Sequence, residues 1–181
     1  MNSYTYTCPR IVDSPSLQRS DVLVAAKLAV RVGPSSVREL EQELGMSKSA
    51  VAYSLVRLRA LALVSDDENG PRVNRIALRD LLEHAVRWLA PAIVGDFELG
   101  LPTAHASDAI AAKLSADKDP VVIPLPHGPM RGRAVTPLHP LAPRAAEKDP
   151  KLLRLLAIVD VFRIGGARER EVASAELRSC F

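Results

Sequence analysis

The chain has 181 residues, of which 48% are hydrophobic and 4% aromatic, with a formal charge of +3. It is long enough for one domain, or a small domain with an appendage, and apolar enough to exclude wholesale disorder. Its pI near 9.1 suits a nucleic-acid partner without requiring one, and two cysteines, Cys8 and Cys180, are too few for a disulfide framework.

Residues 1–16 are polar, carry Pro9 and Pro15, and read as a flexible arm. Apolar positions from Leu17 to Val30 predict a helix over residues 17–32, stopped by Gly33-Pro34. Ser36 and Glu39 have the spacing of a capping box, opening a second helix that carries Val37, Leu40 and Leu44 and ends at Gly45. Ser47 caps a third helix to about Ala62, with Val51, Leu55 and Leu58 facing inward. Residues 63–73 then predict a short hairpin about Asn69-Gly70, with Pro71 confining the return strand to an edge. Asn74 opens a fourth helix whose stripe runs through Leu78, Leu82, Trp88 and Leu89, interrupted near Pro91.

Beyond Val94 the composition turns proline-rich. Ser107 predicts a short helix through Ile110 and Leu114, and residues 121–123 and 134–135 predict short strands joined through His127-Gly128. Asp149-Pro150 is a strong helix start. The helix it opens is apolar nearly all round, as buried helices are, and fits the monomer core, a dimer seam or another protein. The reading preferred here is a subunit interface made by Leu152, Leu155, Leu156, Val159 and Phe162. A last helix follows Gly165-Gly166. The fold class expected is mainly α with small β (α+β), divided into residues 17–94 and an extension, 95–181.

The segment from Ser36 to Leu58 carries the functional signal. Two short helices meet at the tight turn Gly45-Met46-Ser47, so the start of the second is thrust outward. Ser47, Lys48, Ser49, Ala52 and Tyr53 form its leading face, a shape that fits the major groove. Arg57, Arg59, Arg72 and Arg75 are candidate phosphate contacts.

Residues 40–64 resemble the winged helix-turn-helix of MarR-type bacterial transcription regulators, through Glu39-Leu40, Leu44-Gly45-Met46-Ser47, Ser49, Val51 and Leu55 to Leu58. The likeness extends over about residues 17–93, and the remainder resembles the tail of uncharacterised bacterial winged-helix proteins. The sequence departs from the family at three places: Glu41 where a small alanine is usual, Ala62 for a glycine before the wing, and an acidic tip at Asp66, Asp67 and Glu68. The two scattered cysteines and the lack of a long apolar run read as a cytoplasmic protein, and the resemblance implies a homodimeric repressor that binds double-stranded DNA and associates with the nucleoid when bound.

The competing reading is an antitoxin-like or defence-system protein that binds a second protein through residues 95–181 and DNA for autoregulation. His84, His105, His127 and His139 are scattered without metal-ligand spacing. Ser107-Asp108 beside His105 reads as a helix cap, and Gly128 to Arg133 as a solvated turn rather than a phosphate cradle. No metal, cofactor, membrane contact or enzymatic activity is expected. No apolar run reaches the ~20 residues of a membrane-spanning helix.

Overall fold

A computed structural model describes residues 15–113 and 119–180. Most of the expected arm, together with Cys8 and Leu114, lies outside the described residues. The chain is an α+β protein. Its first half runs α1 (Arg19–Val30), α2 (Val37–Leu44), α3 (Lys48–Ala60), β1 (Val64–Asp67), β2 (Gly70–Val73), α4 (Arg75–His84) and α5 (Val86–Leu89).

The caps read from the sequence form. Ser36 Oγ accepts from the Glu39 amide while Glu39 reaches back to the Ser36 amide, and Gly45 closes α2 at φ +65°. Ser47 accepts from the Ala50 amide and Asn74 from the Ala77 amide.

Two boundaries differ. The helix opened by Asn74 breaks at Ala85 instead of continuing through Leu89, and α5 resumes as a single turn. The hairpin turns at Glu68-Asn69, because Asp67 pairs with Gly70. Gly70 takes φ +100°, so its conformational freedom is used at the strand start, one residue later than an Asn-Gly turn would need it.

The second half contains β3 (Val94–Pro102), a 3-10 turn (Ala104–Ala106), α6 (Asp108–Ala111), β4 (Val121–Pro124), β5 (Met130–Val135), α7 (Ala142–Glu147), α8 (Pro150–Ile164) and α9 (Ala167–Arg178). The two strands expected at residues 121–123 and 134–135 exist but do not form a hairpin together. Both are antiparallel to β3, with Leu101 opposite Ile123 and Phe97 opposite Arg133, and they run parallel to each other, closing a three-stranded barrel. Gly100 permits this closure, since a Cβ there would lie 2.2 Å from the Ile123 carbonyl oxygen.

One apolar core runs through both halves. Its axis is α1 and α8, which touch each other. Asp149 caps α8 by accepting from the Lys151 and Leu152 amides, with Pro150 in the first turn. The α8 side chains expected at a subunit interface lie instead in the chain's own core. Leu152, Leu155, Leu156, Val159 and Phe162 are each at most 2% exposed within the single chain, because α1, α5, α7 and α9 pack around the helix. An apolar stripe on every side is satisfied by central burial, and the exposed positions of α8 are Pro150 and the basic Lys151 and Arg154.

A buried polar knot fixes α8 in place. The Arg163 guanidinium donates to the Ala90 carbonyl at 2.7 Å, the Thr136 carbonyl at 2.9 Å and Asp160 at 2.5 Å. Thr103 Oγ1 donates to the other Asp160 oxygen at 2.6 Å. Every arm of this network is partnered, which is what makes a buried ion pair tolerable. Among the described residues, no helix is long and apolar enough to cross a membrane.

Candidate nucleic-acid interface

Leu40, Leu44 and Met46 from α2 and its turn pack with Val51, Leu55 and Leu58 of α3 in the core. Burying these six positions leaves the opposite side of α3 outward. Ser47, Lys48 and Ser49 are exposed, Ala52 is half-buried, and Tyr53 is 66% exposed. Positions 49, 52, 53 and 56 share a helix face by their three- and four-residue spacing. Val56, 59% exposed, is therefore part of this face. The sequence reading missed it, although the same spacing from Ala52 and Tyr53 points to it.

The first-turn amides of α3 have no acceptor within the helix, and the dipole there is positive. Ser47 satisfies the Ala50 amide at 3.2 Å. Lys48 makes no ion pair among the described residues, and no acidic residue stands in the first turn. The leading edge thus combines a free ammonium, small hydroxyls and one phenol. Such a surface can donate to phosphates and base edges and can touch a thymine methyl through Ala52 or Val56.

Three of the arginines expected to clamp phosphates are engaged within the protein. Arg57 forms a two-pronged bond to Asp21 at 2.8 and 2.7 Å, and that carboxylate is fully buried. This bond raises the Arg57 pKa. Arg59 grips Asp66 in the same way at 2.6 and 2.7 Å, holding the Asp66 carboxyl below its ordinary range. Arg72 pairs with Asp67. Two of the three acids at the tip, Asp66 and Asp67, are thus paired with the basic residues beside them, Glu68 stays exposed, and Arg59–Asp66 fastens the hairpin to the end of α3.

The hairpin also packs on the entry to α2. The Ser35 amide donates to the Asn69 carbonyl at 3.1 Å, and a Cβ at Gly70 would meet the Ser35 carbonyl oxygen at 2.2 Å. Hairpin, α2 and α3 are consequently held as one unit.

Arg75 is placed elsewhere, in a cavity with Lys151 and Arg154. Two basic residues that the sequence reading did not select, Arg19 and Arg38, stand exposed in the first turns of α1 and α2 and form no ion pair among the described residues. Only side-chain pairing separates them from Arg57 and Arg59, and no one-residue sequence signal reports that.

The histidines remain on separate segments. His105 Nε2 lies 2.9 Å from the Asp119 carbonyl, and His139 Nδ1 accepts from the Leu141 amide. The His139 pKa is lowered by burial. Ser107 begins α6, but its hydroxyl donates back to the Ala104 carbonyl at 2.7 Å instead of capping an amide. The segment expected as a glycine- and arginine-containing turn becomes β5 from Met130 onward. There Arg131 lies over the Phe97 ring at 5.8 Å, and Arg133 donates to the Gly95 carbonyl.

Comparison of the chain with protein-family models, with curated proteins and with solved structures gives no match.

Proposed function

We propose that this protein is a sequence-specific DNA-binding regulator that inserts the amino end of α3 into the major groove. The observation that carries the reading is the exposed Lys48–Ser49–Tyr53 edge on a helix whose other side is locked by Val51, Leu55 and Leu58. A rigid helix with a protruding, cation-bearing start is what major-groove reading requires. The hairpin beside it supports the winged helix-turn-helix resemblance, and its tip, with two acids paired and Glu68 exposed, offers no free cation for minor-groove insertion. Phosphate contact falls to Lys48, Arg38 and Arg19, since Arg57, Arg59 and Arg72 are already paired.

The dimer implied by the resemblance uses a different surface from α8. Trp88 and Ile93 are about three-quarters exposed, and Phe97 and Leu99 about half. So many large apolar side chains outside the core along one short stretch mark an interaction surface. The same stretch favours a second reading, in which it receives a different protein, as an antitoxin-like role would require.

Retention of fragments from a genomic library tests the DNA reading. The purified protein should retain a restricted set sharing one motif, and retention of none, or of all equally, would exclude sequence-specific recognition. The mass of the purified protein in solution separates the two uses of the apolar stretch. Twice the chain mass of 19.6 kDa indicates self-association, whereas a lone chain that co-purifies with a second protein indicates the other.

A further inference from the structure

A cavity of about 320 Å³ lies where α1 ends, α4 begins, and α8 and α9 meet. Four basic side chains line it, Arg31, Arg75, Lys151 and Arg154, with the hydroxyl of Ser179 and the apolar wall of Val30. No carboxylate is among the lining residues.

The four cations are not equivalent. Arg31 is fully occupied, donating to the Pro34 carbonyl and bridging Glu39 and Glu43. Arg154 commits Nη2 to Glu176 at 2.8 Å and Ser179 at 3.3 Å, and its other nitrogens face no partner among the described residues. Arg75 and Lys151 form no ion pair among the described residues. Two uncompensated positive charges therefore border one concavity, with a third guanidinium partly available. Concave walls of low polarity concentrate such a field.

We propose that this cavity binds a small phosphorylated molecule, with Arg75 and Lys151 neutralising a phosphomonoester and Arg154 orienting it. Two free cations match the charge of about −1.5 to −2 that a phosphomonoester carries near neutral pH. The volume is at the lower end of the roughly 300–1,000 Å³ typical of small-ligand pockets, enough for a phosphate and a short carbon body against Val30. Because Arg75 opens the helix directly after the hairpin while Lys151 and Arg154 belong to α8, a bound phosphoester joins the two halves of the chain. The site does not depend on the DNA reading, since its ligand binds the protein alone.

The test is calorimetric titration of the DNA-free protein with inorganic phosphate, glycerol 3-phosphate and glycerol. Glycerol 3-phosphate should bind in one-to-one ratio, inorganic phosphate at least tenfold more weakly, and glycerol not at all. Phosphate binding as tightly as its ester would overturn the claim of an organic ligand. Arg75→Gln and Lys151→Gln, both at exposed positions, should each weaken binding about tenfold with an unchanged circular dichroism spectrum. Arg168→Gln, on exposed α9 surface away from the cavity, should leave it as it was. No heat with any phosphate, equal loss in the Arg168 variant, or displacement of the ligand by duplex DNA would each refute a small-molecule site. Displacement would assign the cavity to the nucleic-acid surface instead.

Discussion

The end of α3 gives a prediction whose sign depends on one backbone angle. The helix closes by a reciprocal pair of bonds, from the Leu63 amide to the Leu58 carbonyl at 2.9 Å and from the Ala62 amide to the Arg59 carbonyl at 3.0 Å. This is a Schellman closure, with buried Leu58 and Leu63 as its hydrophobic contact. The closure puts Ala62 at φ +55°, a conformation usually taken by glycine. Holding an L-residue there costs about 1–2 kcal/mol, whereas glycine's extra freedom in the unfolded chain costs about 0.5–1 kcal/mol. Ala62→Gly should therefore stabilise the protein by about 0.5–1 kcal/mol. For a chain of this size that is a Tm rise of roughly 1–4 °C. Ala60→Gly, at the last residue of α3, should instead destabilise by about 0.5–1 kcal/mol. Urea unfolding of the two variants beside wild type measures both signs. If Ala62→Gly lowers stability as Ala60→Gly does, the left-handed closure is absent in solution, and the hairpin leaves α3 in another direction.

The remaining predictions concern the ion pairs and the core. Arg57→Ala strands the buried Asp21 carboxylate and should cost about 3 kcal/mol in chemical unfolding; unchanged stability would show that Arg57 is not tied to Asp21. Leu155→Ala, at a position with no exposure, should cost about 2–5 kcal/mol without changing the solution mass; a lower mass at near-normal stability would restore α8 as a subunit seam. Glu39, Asp66 and Glu176 are held below the ordinary carboxylate range, chiefly by their bonds to Ser36, Arg59 and Lys113 respectively. Burial pushes Asp149 up, but Lys27 and the α8 amides outweigh it and the net shift is downward. A carboxyl with a lowered folded pKa contributes stability above its unfolded value near ~4 and loses it as pH falls through the folded value. These four carboxyls should make thermal stability decline below about pH 4. A smaller loss should begin near pH ~6.5, where the unfolded chain takes up a proton at His139 and the folded chain resists it, while Asp160, whose carboxyl burial pushes up, opposes the acid loss; a plateau or rise from about pH 5 to about pH 3 would contradict these pairings.

What the sequence made legible was governed by local rules. The caps at Ser36, Ser47, Asn74 and Asp149 and the left-handed Gly45 form as expected, because each depends on residues within three or four positions. The barrel was less legible. Asp96-Phe97-Glu98-Leu99 alternates polar and apolar as a strand should, yet Phe97 and Leu99 stay about half exposed, so the period marks no buried face, and β3 went unpredicted. Pairing over long separations was not legible at all. Asp21 with Arg57, Asp160 with Thr103 and Arg163 with Ala90 are set by tertiary packing, and they convert expected surface charges into structural ones. The apolar run of α8 was visible, but its destination was not, since a seam and a core demand the same side chains.

The most direct test of the account is the affinity of the wild type and of Lys48→Glu for a duplex recovered by selection from random sequence, measured by fluorescence anisotropy over a range of salt. The account predicts tight, salt-sensitive binding by the wild type. For the variant, whose only change is at the exposed first residue of α3, it predicts a loss of at least tenfold with no loss of stability, since an acid there suits the positive end of the helix dipole. Equal affinity of the two proteins for that duplex would contradict the placement of α3 in the groove.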